Sequence, residues 1–357
     1  MPTISPELQK VFGDPLPQIG AVLRLNTELP QKSPELGSRH WALDGSCVLV
    51  AGDRVLTISH TLKGLDDDPA RTLERCGIFL PYEGLIRVQE HETYYSTRMD
   101  NPTLLRLEDP VRLAPPLLAR KIPGSKKSGT FAFVAGYGGW LAVPHGGEDG
   151  LQRRVRVDLG LPSWAGWCDT LDLCWWSEWN GGRAALVNNS GGPMMWLESD
   201  GVSFSVVGVN REQRGPWQTG TWVGQRRFKW LRDQIGEPSV VDPGTAKSRR
   251  REVLEIAAEA TGRVVRLEVP AGAEHLRVTV NASAGFPLDM EIAGGPPPAD
   301  FLTDLAARKG VNSGRFLTRT ARLSELDPGG VFVGVSRVAS APVTASRVVA
   351  QLCAVFF

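Results

Sequence analysis

From about Ala21 to Ile235 the chain reads as short apolar runs punctuated by turn residues: AVLRL, CVLVAG, RVLTISH, GLIRVQ, TLLRL, TFAFVAGYG, RRVRVDL, AALV and FSVVGVN. They are rich in Val and Leu and bounded by Gly, Pro, Asp or Asn, the pattern of strands in a barrel or sandwich. Helical spacing is scarce. Its best example is Arg226–Ile235, where Phe228, Leu231 and Ile235 share a face and Gly236-Glu-Pro238 ends the run. Period-two alternation resumes late in the chain, in VVRLEV, LRVTV, LDMEI, FLTRTARL, VFVGVSRV and RVVAQLCAVFF, interrupted by the turn-forming GGPPPAD at 294–300. That density of strands fits a small β-sandwich. Between the two regions, residues 236–252 carry two prolines, two glycines and the basic run Lys247–Arg251, which reads as a solvated linker. The expected organisation is all-β: an extension at 1–20, a barrel domain at 21–240, a linker at 241–254 and a sandwich at 255–357.

Composition narrows the class. With 42% hydrophobic and 22% charged residues the chain is an ordinary globular one, and Gly 39 with Pro 26 favours many turns. Lys+Arg 40 against Asp+Glu 39 leaves a formal charge of +1, so no global field recruits nucleic acid or a membrane surface. No run approaches the ~18 apolar residues of a membrane span, and MPTISPELQKVFGDPLPQ lacks the basic and apolar regions of a signal peptide. A cytoplasmic protein is expected. Five cysteines, Cys47, Cys76, Cys168, Cys174 and Cys353, make a poor disulfide framework and read as reduced thiols. Cys168 and Cys174 have no His or Cys cluster beside them, so neither metal nor cofactor is expected.

Two local strings carry chemistry. Val187-Asn-Asn-Ser190-Gly-Gly-Pro193 follows the run AALV and precedes MMWL. A serine flanked by glycines in a tight turn lets a substrate carbonyl approach both the hydroxyl and the backbone N–H groups, although SGGP also serves as a plain turn. Arg54-Val-Leu-Thr-Ile-Ser-His60 ends an apolar strand on a histidine. An imidazole there can take a serine proton or can simply be a hydrogen-bonded residue at the core edge.

In order, these strings resemble the trypsin/chymotrypsin-like serine proteases over about residues 20–236. GSCVLVAGDRVLTISH is similar to that family's run into the catalytic histidine, and Asn101-Pro-Thr-Leu-Leu-Arg-Leu107 to its aspartate segment. Phe133-Val-Ala-Gly-Tyr-Gly138 and Leu151–Val157 resemble successive strands, NNSGGP the nucleophile turn, Phe204–Val209 the strand lining the substrate pocket, and FKWLRDQI the closing helix. The resemblance implies two perpendicular six-stranded barrels with the site between them. It also implies Ser190 as nucleophile, His60 as general base and then acid, and the N–H groups of Ser190 and Asn188 as the oxyanion hole. The family's aspartate position falls on Asn101, with the carboxylate Asp100 one residue earlier, so either orients His60. Asn189 stands where proteases activated by a new N-terminus carry an aspartate, and Thr61 replaces a family cysteine. Ala184, six residues before Ser190, removes the usual carboxylate for Lys or Arg; Asn210 and Glu212 continue the pocket strand, Glu212 either lending a carboxylate or standing solvated.

Residues 261–352 resemble the bacterial pre-peptidase C-terminal β-sandwich, on Gly262–Gly272, Leu276–Val280, Asp289-Met-Glu-Ile292 and Asp327–Val335. The resemblance implies a docking module for a substrate or a regulatory protein. Asp289, Glu291 and Asp327 lack the ligand-spaced loop of a calcium site. The expected function is an intracellular serine endopeptidase acting on protein substrates. The alternative is a weak or inactive pseudoprotease that serves as a binding scaffold in a regulatory or defence cascade. Lys247–Arg251 is a candidate processing site between the domains.

Overall fold

The computed structural model of the protein describes residues 16–25, 41–62, 68–94, 101–113, 115–118, 130–137, 151–159, 172–176, 190–197, 204–214, 217–222, 225–236, 247–283, 287–307, 315–339 and 347–357. The first strands close into an antiparallel barrel: β1 (Ile19–Leu25), β2 (Trp41–Ala51), β3 (Arg54–Ile58), β4 (Cys76–Leu80), β5 (Gly84–Thr93) and β6 (Pro102–Leu107), in the order β1-β2-β3-β6-β5-β4. Alternate residues explain why. Val22, Leu49, Val55, Ile78, Val88 and Leu105, one from each strand, fill the barrel interior. Their neighbours Leu23, Val48, Leu56, Phe79 and Leu104 face outward and are buried as well, in a core shared with the second sheet. Burial of both faces makes these strands read as nearly continuous apolar runs.

The second sheet holds β7 (Leu117–Leu118), β8 (Thr130–Gly136), β9 (Arg153–Leu159), β10 (Asp172–Trp176), β11 (Pro193–Leu197), β12 (Phe204–Arg214) and β13 (Trp217–Trp222). Its order is β10-β13-β12-β11-β8-β9, with β7 pairing β12. The end strands β9 and β10 approach each other, so the sheet curls. The all-β architecture is as expected: the first barrel is closed, and the second sheet is a six-strand path whose ends approach each other, with β7 added beside β12. A short helix α1 (Pro69–Glu74), not anticipated from the sequence, is started by Asp68, whose carboxylate accepts the Arg71 N–H at 3.1 Å, and by Pro69 in its first turn. The anticipated helix is α2 (Gln225–Ile235), with Leu231 buried against the shared core.

The C-terminal strands β14 (Ser248–Ala257), β15 (Gly262–Leu267), β16 (His275–Ala282), β17 (Leu288–Gly294), β18 (Phe316–Arg322), β19 (Val331–Arg337) and β20 (Arg347–Phe356) form a sandwich. One sheet runs β14-β20-β16-β18 and the other β15-β19-β17. Ile256, Val278 and Leu352 from the first meet Val265, Met290 and Val333 from the second. A helix α3 (Phe301–Ala307) seats Phe301 over Gly334, where a Cβ would lie 2.4 Å from the ring. The basic run expected in a solvated linker is strand: Ser248–Ala257 pairs with Arg347–Phe356 along its whole length, leaving Arg249, Arg250 and Arg251 exposed on an edge strand. Its main chain is engaged in a ladder, a conformation a processing enzyme must first pull open.

The sandwich is pressed onto the barrel region. Gln152 N–H donates to Gln351 Oε1 at 3.0 Å, and Gln351 Nε2 donates back to the Gln152 carbonyl at 3.1 Å. Arg277 pairs with Glu83 at 2.7 Å, and Tyr82 N–H donates to Thr279 Oγ1 at 3.2 Å. Phe316 enters the shared core, its ring 5.2 Å from Phe79 and 6.2 Å from Tyr137. Among the described residues no helix is long and apolar enough to cross a membrane.

Candidate active site

β3 runs into a single turn of 3₁₀ helix, Ser59–Thr61, that leaves His60 exposed and Thr61 buried. Three hydroxyl contacts hold that turn. Thr61 Oγ1 donates to the Ile58 carbonyl at 2.8 Å and lies 3.2 Å from Thr57 Oγ1, and Thr57 Oγ1 donates to the Ser46 carbonyl at 2.8 Å. Asn101, buried at the head of β6, completes the support through its main chain. Its N–H donates to Ser59 Oγ at 3.1 Å and its carbonyl accepts the Ser59 N–H at 2.9 Å. The residue beside His60 is therefore tied to Asn101 in both directions.

Ser190 sits in the turn that enters β11. Ser46 N–H donates to the Ser190 carbonyl at 2.8 Å, Gly191 N–H to the Asn210 carbonyl at 2.7 Å, and Asn210 N–H to the Gly192 carbonyl at 2.7 Å. Gly191 has φ +80°, and a Cβ on it would lie 2.1 Å from Thr57 Oγ1 and 2.3 Å from the Ser46 carbonyl oxygen. Only glycine allows the turn so close to β2 and β3. Gly45 marks the meeting point, since a Cβ there would stand 2.5 Å from Thr61 Cγ2 and 3.0 Å from the Ser190 carbonyl oxygen. Through these small residues the Ser190 turn and the His60 turn pack on one another across two sheets.

The Ser190 hydroxyl donates to the Arg211 carbonyl at 2.9 Å. A bulge presents that acceptor: pairing with β13 steps from Asn210↔Gly220 to Glu212↔Thr219, so Arg211 is the extra residue. For acyl transfer the hydroxyl must rotate its proton from this carbonyl to an imidazole, a change common between a free enzyme and its substrate complex. Asn210, 3% exposed, flanks the Ser190 turn. Glu212 belongs to β12 by its main chain. Asp100, Ala184, Asn188, Asn189 and Cys168 lie outside the described residues.

The remaining titratable candidates have structural surroundings. Cys47, Cys76 and Cys353 are free and buried, and burial raises the Cys76 and Cys353 thiols to about 12 and the Cys47 thiol further. Buried thiols held so far up are inert as nucleophiles. Asp289 Oδ1 accepts the Met290 N–H at 2.7 Å and lies 3.7 Å from Arg319 Nη2, which commits it inside the sandwich. Among the described residues no group of three or more His, Cys, Asp or Glu converges on a metal-sized space.

Sequence reasoning singled out His60 and Ser190 and missed the bracket around them. Ser46, the Thr57–Thr61 pair and the Arg211 carbonyl come from three places in the chain, and nothing in the sequence says that their hydroxyls and carbonyls meet. Asp68-Pro69, by contrast, is a helix start that is readable in the sequence. Set against models of known protein families, the chain matches none.

Proposed function

We propose that the protein is a serine endopeptidase that cleaves protein substrates through an acyl-enzyme on Ser190, with His60 as general base. The observation that carries the reading is the packing of the Ser190 turn on the His60 turn around Gly45, Thr57 and Gly191. A Cβ on Gly191 would fall 2.1 Å from the Thr57 hydroxyl, so the glycine is what lets the serine turn lie against the strand that leads into His60. In the reaction His60 accepts the Ser190 proton as Oγ bonds to the scissile carbonyl carbon. The N–H groups of Ser190 and Asn188 receive the oxyanion. The imidazolium then protonates the departing amine, and water repeats the sequence to release the acyl group.

Asp100 or Asn101 orients the imidazole. An amide in that role lowers turnover by about 10⁴ relative to a carboxylate, so the two assignments differ sharply in expected rate. The buried free thiols support an intracellular site of action. The C-terminal sandwich, on its resemblance to pre-peptidase domains, contributes a surface for a substrate or regulatory protein. The second reading, a scaffold built on an idle protease fold, is favoured by the Ser190 proton being held on the Arg211 carbonyl. A fluorophosphonate probe decides between them. The wild type should label, Ser190→Ala should not, and His60→Ala should label at least about a hundredfold more slowly. A wild-type protein that resists the probe overturns the catalytic reading in favour of the scaffold.

A further inference from the structure

A cavity of about 350 Å³ opens on the first barrel beside the His60 turn. Thr61 and Leu62, the two residues after His60, form one side, and Asp44, which precedes Gly45, forms another. Val22, Leu23 and Cys76 are buried and give it an apolar floor. Around this floor stand three arginines, Arg24, Arg71 and Arg75, against two aspartates, Asp44 and Asp68.

Both carboxylates are engaged by neighbours in the same lining. Asp44 Oδ2 accepts from Arg24 Nε at 2.6 Å, and Asp68 Oδ1 accepts the Arg71 main-chain N–H at 3.1 Å as the cap of α1. Among the described residues neither the Arg71 nor the Arg75 guanidinium forms an ion pair. Arg75 is half-buried, and its carbonyl accepts the Leu25 N–H at 2.8 Å, so its side chain departs from a point anchored on β1. A half-buried arginine and an exposed one at the rim of a cavity with apolar residues in its lining suit a planar carboxylate on a short apolar stem.

The position of the cavity says which part of a substrate reaches it. All its walls belong to the first barrel, whereas Asn210 and Arg211, the other neighbours of the Ser190 turn, belong to β12. The amine that departs takes its proton from His60 and so lies on the His60 side, where the chain continues through Thr61 and Leu62 into the cavity wall. We propose that this cavity binds an acidic side chain, Asp or Glu, in the departing half of a polypeptide substrate, with Arg75 and Arg71 as its carboxylate receptors. The departing-half assignment rests on the catalytic reading of Ser190 and His60; the carboxylate site does not.

The first experiment uses the full-length Ser190→Ala protein, labelled at arginine, titrated with N-acetyl-glutamate N-methylamide and with its glutamine counterpart while the arginine Nε–Hε resonances are followed by NMR. The glutamate probe should shift the Arg71 and Arg75 signals saturably and bind at least about tenfold more tightly than the glutamine probe, with Arg75→Gln erasing the difference. An equal response to both probes overturns the site. So does silence from both. Inorganic phosphate binding as tightly as the glutamate probe at equal ionic strength also overturns it, in favour of a general anion pocket. The second experiment offers the wild type a random peptide library and reads the products by mass spectrometry. Acidic residues should be enriched in the departing half, and Arg75→Gln should flatten that enrichment. Cleavage with no such enrichment removes the assignment to the departing half. Probe selectivity without any cleavage removes both that assignment and the catalytic reading, and leaves the carboxylate site standing.

Discussion

Gly191 concentrates the argument at the scale of the residue. Its φ of +80° disfavours any side chain, and the space a Cβ needs is already filled by Thr57 Oγ1 and the Ser46 carbonyl. Gly191→Ala therefore combines strain with overpacking and should cost about 3 kcal/mol of stability, together with loss of fluorophosphonate labelling. Urea unfolding and the labelling rate check the two effects. An alanine variant of unchanged stability would mean that the two turns do not meet at this point. Ser190 and His60 were legible in the sequence because each ends a local apolar run in a distinctive string. The places of Arg71 and Arg75 at a cavity and of the Arg211 carbonyl at a bulge were not, since cavity and bulge appear only when strands are paired.

At the scale of the element, β18 has the furthest reach. Phe316, 8% exposed, leaves the sandwich to pack against Phe79 and Tyr137. Tyr137 N–H donates to Ser46 Oγ at 2.9 Å, and Ser46 N–H donates in turn to the Ser190 carbonyl at 2.8 Å. A ring from the C-terminal sheet thus stands three contacts from the serine turn. Phe316→Ala should destabilise the chain by about 3–5 kcal/mol and slow Ser190 labelling even under conditions where the variant is folded, with Phe316→Leu recovering part of both. Chemical denaturation followed by labelling of the folded variant tests this; unaltered labelling would reduce β18 to a purely structural role. The turn between β4 and β5 shows the same dependence. Tyr82 adopts φ 68°, unusual for a non-glycine residue, where its N–H meets Thr279 of the sandwich.

At the scale of the molecule, the sandwich and the barrel region share a core and an amide pair, so they should unfold together. Calorimetry should give one transition, and two well-separated ones would argue for independent domains. Its midpoint should also respond to alkali. Cys76 and Cys353 rise from 9.0 to about 12 because burial disfavours the thiolate. Their folded-state values lie above the unfolded ones, so the neutral thiols contribute their full stability below about pH 9 and lose it as the pH rises toward 12. Tyr82 and Tyr137 are raised in the same direction by burial and deepen the fall. The midpoint should stay level to about pH 9 and then drop, less steeply in Cys76→Ala and Cys353→Ala.

By itself the sequence determined the all-β class, most of the strands, the closing helix and the two reactive candidates. Period-two runs, turn residues and flanking glycines act on neighbours a few residues away, so a linear reading can find them. It misjudged Lys247–Arg251, because charge and nearby prolines suggest solvent while the deciding partner, β20, lies about a hundred residues further on. Only the tertiary structure decided that Gln152 and Gln351, 199 positions apart, would join the sandwich to the barrel region, that Phe316 would complete a core begun near Ile19, and that Arg75 would overlook a cavity beside His60. Each of those contacts is a matter of which surfaces are brought together, and a chain can announce its strands without announcing which faces they will share.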